Sequence, residues 1–333
     1  MFINHTRAKT FSACRRKYFW LYEFDGHGLV QDKKDEKLVI GIIVHAGLAS
    51  LYAEEGISKA IDRAFQSFQE EMGPNQGPEW EDNLDLVSRL LTEYDEKVLP
   101  YDDFSPIIEN IETPVTVDLG ISGHKHVCRI DLPVNRDGRI QMIDHKTTSS
   151  TGGTYLEACH YSYQLLGNCY GYEKALGLPV RGYAINILKK IKTIGLKERE
   201  MKQCPSCRAG KKKMPSCETC NGTGLVKRDE KHTQSPFQRE WESIGEDDLL
   251  RWEKNRLHTI GQIQHERALF DVSKSESWPM NTEHCFSYGK CPFIDICHRG
   301  SGKRWYNPPM EMIHNFIPRE EDYVDQMIKE EMK

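Results

Sequence analysis

A chain of 333 residues, 38% of them hydrophobic, is long enough for one large or two ordinary domains with an apolar core, which excludes a disordered tail. Its 45 basic and 50 acidic side chains leave a net charge of −5, so overall charge gives no argument for nucleic acid and any phosphate-binding surface has to be local. There is no run of about 18 uncharged apolar residues, the start MFINHTRAKTFSACRRKYF lacks the basic-then-apolar layout of a signal peptide, and eleven cysteines fit metal binding or burial in a reducing compartment better than a disulfide framework. A cytoplasmic protein without membrane association is expected.

In chain order, 38–52 (LVIGIIVHAGLASLY) is apolar on nearly every side and predicts a buried helix with His45 at its middle. Amphipathic helices are predicted over 57–72 and 80–98, separated by the breaker GPNQGP. From Pro114 the period shifts towards two in VTVDL, HVCRIDLPV and RIQMIDHK, which predicts a meander of antiparallel strands. A helix over 155–176, closed by Gly177 and Pro179, precedes a strand over 183–188. Residues 201–227, rich in Cys, Gly, Lys and Pro, read as an inserted module, and 249–270 as a long helix. The tail from Pro308 is expected either to dock as a terminal helix or to stay mobile. Strands flanked by helices make an α/β or α+β core.

The hairpin from Arg129 to Lys146 carries the first chemical signal. If Asp137-Gly138 is a two-residue turn, Asp131 faces Asp144; if the loop is the four residues from Asn135, its partner is Met142 and the two aspartates still share a face, with Lys146 beside them. Directly opposed side chains stand about 4.5–5.5 Å apart at Cβ, where like charges repel. A divalent cation between the carboxylates relieves that repulsion, and Lys146 is placed to orient a water or offset charge on a phosphate oxygen. The bland alternative is a solvated sheet face.

Asp131 in RID and Asp144-His145-Lys146 in IDHKT resemble the acidic and (D/E)xK motifs of the PD-(D/E)xK nucleases, in the RecB-like branch that includes CRISPR-adaptation exonucleases, AddB-type nucleases and phage exonucleases. The resemblance implies an α/β, restriction-endonuclease-like core, a mixed and partly antiparallel sheet flanked by helices. It implies that His45 in GIIVHAGL joins Asp131, Asp144 and the backbone carbonyl of His145 around one or two Mg²⁺ or Mn²⁺ ions. Gln164 in HYSYQLLGNCYGY resembles the glutamine of the family's Q-x-x-x-Y motif, although Asn168 stands where the tyrosine is expected and Tyr170 and Tyr172 follow later. Glu112, in NIETPV, lies where some relatives carry an acidic residue ahead of the core strands.

The cysteines sort by spacing. Cys285, Cys291 and Cys297 form C-x5-C-x5-C, one ligand short of a four-thiolate site. Cys14 supplies the fourth, and the one-early, three-late order resembles the iron-sulfur nucleases of this branch, implying a 4Fe-4S cluster; zinc or no metal is the alternative. Cys204, Cys207, Cys217 and Cys220 form two C-x2-C knuckles that predict tetrahedral zinc. Their text, CPSCRAG and CETCNGTG, is similar to the zinc-binding repeats of DnaJ-type proteins. Cys128, Cys159 and Cys169 stand alone and read as small buried hydrophobes.

Arg15, Arg16 and Lys17 beside Tyr18, Phe19 and Trp20 either border a DNA path or cover an aromatic core. Lys211, Lys212 and Lys213, with Lys189, Lys190 and Lys192, offer a basic surface for phosphate or a solubilising loop, and Tyr170 is a further candidate DNA contact. The expected organisation is a helical region and nuclease core over 1–200, a zinc-ribbon-like insertion over 201–227, the rest of the nuclease domain with the iron-sulfur cysteines over 228–304, and a tail over 305–333. The expected activity is a Mg²⁺- or Mn²⁺-dependent deoxyribonuclease, chiefly an exonuclease of DNA ends in recombination, repair or processing, in a bacterial or phage-infected cell. The alternative is a non-cleaving or partner-dependent DNA-binding subunit. No helicase phosphate loop is present, so an ATP-driven partner would be another chain.

Overall fold

The computed structural model describes residues 1–32, 35–73, 80–120, 123–149, 153–191, 201–209, 215–227, 235–269, 277–287, 289–298, 316–319 and 325. A helix as apolar as 38–52 has to be enclosed, and it is: α3 (Glu36–Tyr52) packs under α4 (Ile57–Met72) and α5 (Glu81–Lys97). The three cover one face of a sheet, with Val39, Ile43, Leu48, Leu90 and Tyr94 wholly buried. Gly47 sets the spacing, because an added Cβ would lie 2.4 Å from Leu91 Cδ1. That close contact fixes the rotation of α3 and therefore the direction in which His45 points.

The sheet has five strands in the order β11-β8-β7-β6-β3. These are β3 (Ser105–Pro106), β6 (Leu132–Arg136), β7 (Arg139–Thr148), β8 (Val180–Lys189) and β11 (Phe237–Ser243). All neighbours are antiparallel except β7 and β8, which run parallel and need a helical crossover. Side chains alternate: Ile143, Ala184 and Leu188 join the core under α3 to α5, whereas Met142, Ile185 and Ile187 join a second core on the opposite face. The architecture is the expected mixed α/β fold with helices flanking mixed sheets.

The expected single meander is corrected. HVCRIDLPV is two strands in two sheets: β5 (His124–Ile130) pairs with β4 (Thr113–Leu119) and with β1 (Phe2–Ile3), and β6 belongs to the five-stranded sheet. The chain changes sheets at Asp131. Of the two hairpin alternatives the two-residue turn is the one formed, with Asp137 (φ 54°) and Gly138 (φ 73°) both left-handed and Leu132 paired with Ile143.

The single helix expected over 155–176 is also corrected, to α6 (Gly153–His160) and α7 (Tyr163–Leu176). Ser162 breaks it, taking an extended conformation in which its hydroxyl caps α7 by accepting from the Gln164 N–H. Gly177, at φ 66°, closes α7 as expected.

The N-terminal segment, α1 (His5–Ala13) and α2 (Arg15–Tyr18), meets the chain's last third through aromatic packing. Phe19 and Trp278 lie 5.9 Å apart, and Trp20 stacks on Phe293 at 6.4 Å. Tyr18, Phe19 and Trp20 are buried, so they form core and do not border a nucleic-acid path. The long helix α9 (Glu246–Leu269) packs on α7 and α1. Of the tail's described residues, β12 (Phe316–Pro318) adds as a strand to β2 (Leu29–Gln31), where a helix or mobile chain was expected. Between β8 and β11, β9 (Met201–Gln203) and β10 (Leu225–Lys227) form a small hairpin whose buried cluster consists of Cys204, Cys207, Cys217 and Cys220, with Val226 against it. Among the described residues, no helix is long and apolar enough to cross a membrane.

Candidate metal-dependent active site

The switch between sheets at Asp131 creates the site. In the β4–β5 ladder Thr113 pairs with Ile130, and one step beyond its end the Glu112 N–H donates to the Asp131 carbonyl at 3.2 Å. Glu112 takes a left-handed backbone (φ 52°) at this end. Both carboxylates thereby meet His45 from α3: Nδ1 lies 3.3 Å from Glu112 Oε1 and 3.5 Å from Asp131 Oδ2. One ligand atom from each of the three falls within 4.8 Å of the others. On the other side of the ring, His45 Nε2 donates to the His145 carbonyl at 2.9 Å.

Strand β7 supplies the remaining groups by alternation. Asp144 and Lys146 share a face, with Lys146 Nζ 2.6 Å from Asp144 Oδ2 and donating to Gln164 Oε1 on α7 at 3.1 Å. The His145 N–H donates to Asp131 Oδ2 at 2.9 Å, so the backbone of β7 orients the Asp131 carboxylate. Beyond Lys146, neither Asp144 oxygen finds a hydrogen-bond partner among the described residues, although the side chain is 2% exposed. A buried carboxylate with an unsatisfied oxygen is expensive without a cation. Beside it Glu112, Asp131 and His45 form a group fit for a divalent ion, while Asp144 stands outside the set whose ligand atoms lie within 4.8 Å of one another.

Electrostatics point the same way. Burial raises the carboxyl pKa values of Asp131 and Asp144, opposed by His45 at the first and Lys146 at the second. Burial disfavours charge on His45, but Asp131 and Glu112 outweigh it and hold the imidazole up at about 9. Without metal, the protonated ring is a cation beside Glu112 and Asp131, as Lys146 is beside Asp144.

The His145 side chain turns to the opposite face and is fixed there. Burial keeps its ring neutral, Nδ1 accepts from Asn186 Nδ2 at 2.8 Å, and the ring stacks on Tyr52 at 5.9 Å. Asn186 Nδ2 also donates to the Tyr94 hydroxyl at 2.9 Å, and Arg239 binds Tyr94, Tyr52 and Asp102 at 2.7, 3.0 and 2.5 Å. This buried network anchors the residue whose carbonyl faces His45. Asn186 and Arg239 were not anticipated from sequence, and Glu112 was only a peripheral candidate; its signal lay in the β4–β5 register.

The other candidate residues divide. Tyr170 is corrected: it is buried, packs on Trp252 at 4.8 Å and donates to Glu253 at 2.5 Å, leaving nothing for DNA. Arg15 pairs with Glu266 at 3.1 Å and Arg16 donates to the Trp278 carbonyl at 2.9 Å, so both guanidinium groups have partners inside the protein. Lys192, Lys211, Lys212 and Lys213 lie outside the described residues. Cys128 and Cys169 are buried, as lone hydrophobes would be, while Cys159 is half-buried.

Of the two sets of cysteines, only Cys204, Cys207, Cys217 and Cys220 form a group with sulfurs within ligand distance; Cys14, Cys285, Cys291 and Cys297 share a neighbourhood without any three sulfurs coming within 4.8 Å of one another. Cys204 and Cys217 have sulfurs 3.7 Å apart, as do Cys207 and Cys220, and all four sulfurs lie within 4.8 Å. Cys14 receives the Asn281 N–H at 3.4 Å, and the Cys291 N–H donates to the Cys285 carbonyl at 2.8 Å. Burial raises the Cys285 and Cys297 thiols, Cys297 to about 12, and the nearby Cys14 and Cys291 thiols add to both shifts.

Residues 3–298 match the family model described as the PD-(D/E)XK nuclease superfamily, a span that takes in every residue of this site. No curated protein matches the sequence. With the match covering nearly the whole chain and the acidic cluster sitting where its strands meet, the chain belongs to the PD-(D/E)XK nuclease superfamily.

Proposed function

We propose that the protein is a Mg²⁺- or Mn²⁺-dependent DNA exonuclease. The observation that carries this reading is the convergence of His45, Glu112 and Asp131, with the buried Asp144 carboxylate and Lys146 on the neighbouring strand. Asp131, Asp144, His45 and the His145 carbonyl would hold the ion, with Glu112 as an additional carboxylate. A bound ion there supplies Lewis-acid polarisation of a phosphoryl oxygen and a water of lowered pKa. Lys146, fixed between Asp144 and Gln164, positions the attacking water and offsets charge developing on the phosphate. Gln164 Oε1 holds the ammonium in that position by accepting a hydrogen bond from it.

The four-cysteine hairpin is read as a zinc site. A tetrahedron with Zn–S of about 2.3 Å has sulfur–sulfur edges of about 3.8 Å, close to the observed 3.7 Å. Although desolvation raises it, the Cys220 N–H and neighbouring thiols bring Cys217 down to about 6, towards a thiolate at neutral pH. Cys14, Cys285, Cys291 and Cys297 are read as the ligands of a 4Fe-4S cluster with a structural role, the Asn281 N–H donating to the Cys14 sulfur. A cytoplasmic setting and a helicase or recombination partner complete the proposal.

The test compares linear, end-labelled DNA with closed circular DNA in Mn²⁺, Mg²⁺ or EDTA, using anaerobically purified protein with its metal content measured. Metal-dependent loss of linear DNA with circles intact is expected. Cutting of circles would make the enzyme an endonuclease, and absence of cleavage by protein carrying all its metals would leave a DNA-binding subunit.

A further inference from the structure

A second cavity, of about 800 Å³, adjoins the one over the carboxylates and differs from it in charge. The cavity over the carboxylates, about 650 Å³, carries Glu70, Glu71, Glu112 and Asp131 balanced by Lys37, Arg63, Arg129 and Lys146. Among the described residues no Asp or Glu lines the second, in a chain where acidic residues outnumber basic ones by 50 to 45. Its cations are Lys9, Lys17 and Lys146, and hydroxyls and amides supply most of its other polar groups. One wall is a face of α1, where His5 and Lys9 lie one turn apart; the facing wall is α6, with Tyr155 and Cys159 one turn apart. The third wall runs from Asn281 to Cys291 and brings Cys14, Cys285 and Cys291 to the far end.

Two features tie this cavity to a ligand. Lys146 and Gln164, bonded to each other at 3.1 Å, line both cavities, so whatever lies along the second cavity passes the reacting site. His5 Nδ1, on the wall, is buried without a hydrogen-bond partner among the described residues, and burial, with Arg256 next, keeps the ring neutral, its pKa at about 3. A neutral imidazole nitrogen beside lysines and no acid suits a ligand that offers both phosphate charge and base-edge hydrogen bonds.

We propose that the cavity between α1 and α6 is the subsite for a single DNA strand flanking the scissile phosphate, with Lys9 and Lys17 on its phosphates and Tyr155 against a base. This rests on the nuclease reading above and adds strandedness and residues to it. A sphere of this volume is about 12 Å across, room for an unpaired base and its backbone. Separated strands fit, because an unpaired base presents a face to an aromatic ring and a single backbone to a charged groove. Lys9 and Lys17 are contacts on substrate; Cys14, Cys285 and Cys291 shape the cavity's end.

The experiment measures binding of a fluorescein-labelled single-stranded oligonucleotide, and of its duplex, by fluorescence anisotropy across a salt series in EDTA. Wild type, the Lys9→Ala/Lys17→Ala double variant, Tyr155→Ala and the distant control Lys254→Ala are compared as holoproteins, with Mn²⁺-dependent cleavage run on each. Each lost phosphate contact on a single strand lowers the slope of log K against log salt by about 0.7. The double variant is therefore expected to lose about 1.4 of slope and at least about tenfold in single-strand affinity at low salt. Tyr155→Ala should weaken binding at every salt concentration with the slope kept, and Lys254→Ala should match wild type. Wild-type slope and affinity in the double variant, in an enzyme that cuts, would overturn the subsite and leave the nuclease reading standing. Wild type that neither binds nor cuts would overturn both.

Discussion

The two best-formed ligand clusters hold their side chains by opposite means. His45, Glu112, Asp131 and Asp144 come from α3, the end of β4, the bend between two sheets and β7, and each is held by elements that bury their own apolar faces. Cys204, Cys207, Cys217 and Cys220 come from one short hairpin whose buried cluster is the cysteines themselves. In the first case the scaffold makes the site, and binding energy is stored as close-packed, incompletely satisfied acids. In the second the ligands make the scaffold, since so little apolar surface cannot offset the entropy of ordering the segment. Losing a ligand should therefore cost chemistry in one place and folding in the other.

The largest effect is expected at the hairpin. Cys207→Ser should release the metal and open residues 201–227 to limited proteolysis, while the core keeps its melting transition and its Mn²⁺-dependent cleavage. Proteolysis mapped by mass spectrometry checks this, and a wild-type digestion pattern in metal-free variant protein would remove the contrast. Next is Asn186→Ala, which takes the hydrogen bond from His145 Nδ1 without touching a carboxylate. Groups one step behind a metal ligand are typically worth 10–100-fold in metal affinity or activity. Mn²⁺ affinity, followed by its electron paramagnetic resonance signal, should fall about tenfold, with cleavage recovering at saturating Mn²⁺. Unchanged affinity would mean that the network serves packing alone.

The smallest effect sharpens the electrostatic half. His45 rises from 6.5 to about 9 in the folded, metal-free protein. A raised pKa stabilises the fold fully below the unfolded value and loses that contribution as pH climbs through the folded one. In EDTA, this group should lower the melting temperature between about pH 6.5 and 9. Over the same window Mn²⁺ affinity should increase, because the ion must displace the imidazolium proton. A His45→Gln variant with the same pH dependence as wild type would assign the effect elsewhere.

Much of this was legible in the residues. Asp137-Gly138 encodes a two-residue turn, and from it follow the register of β6 on β7 and the shared face of Asp144 and Lys146. The apolar wrapping of 38–52 declared α3 buried. Less legible was anything decided by contacts distant in sequence. Nothing local marks Asp131 as the place where the chain leaves one sheet for another, since HVCRIDLPV alternates as one strand would. Glu112 becomes a partner of Asp131 only through the β4–β5 ladder. Asn186 and Arg239 read as ordinary strand polars until β8 and β11 bring them under Tyr52 and Tyr94. Ser162, a strong cap, was a local signal for the α6–α7 break that the surrounding apolar pattern obscured.

The most direct test of the central claim measures cleavage and stability on the same Asp144→Ala sample. Removing a buried carboxylate that the scaffold holds in place should reduce Mn²⁺-dependent DNA cleavage by about 10³-fold or more, with a cooperative melting transition kept, though at a lower temperature in EDTA because Lys146 loses its counter-ion. Lys146→Ala should follow in cleavage. An Asp144→Ala protein that still degrades DNA at the wild-type rate, with the activity abolished by EDTA, would contradict the assignment of this site.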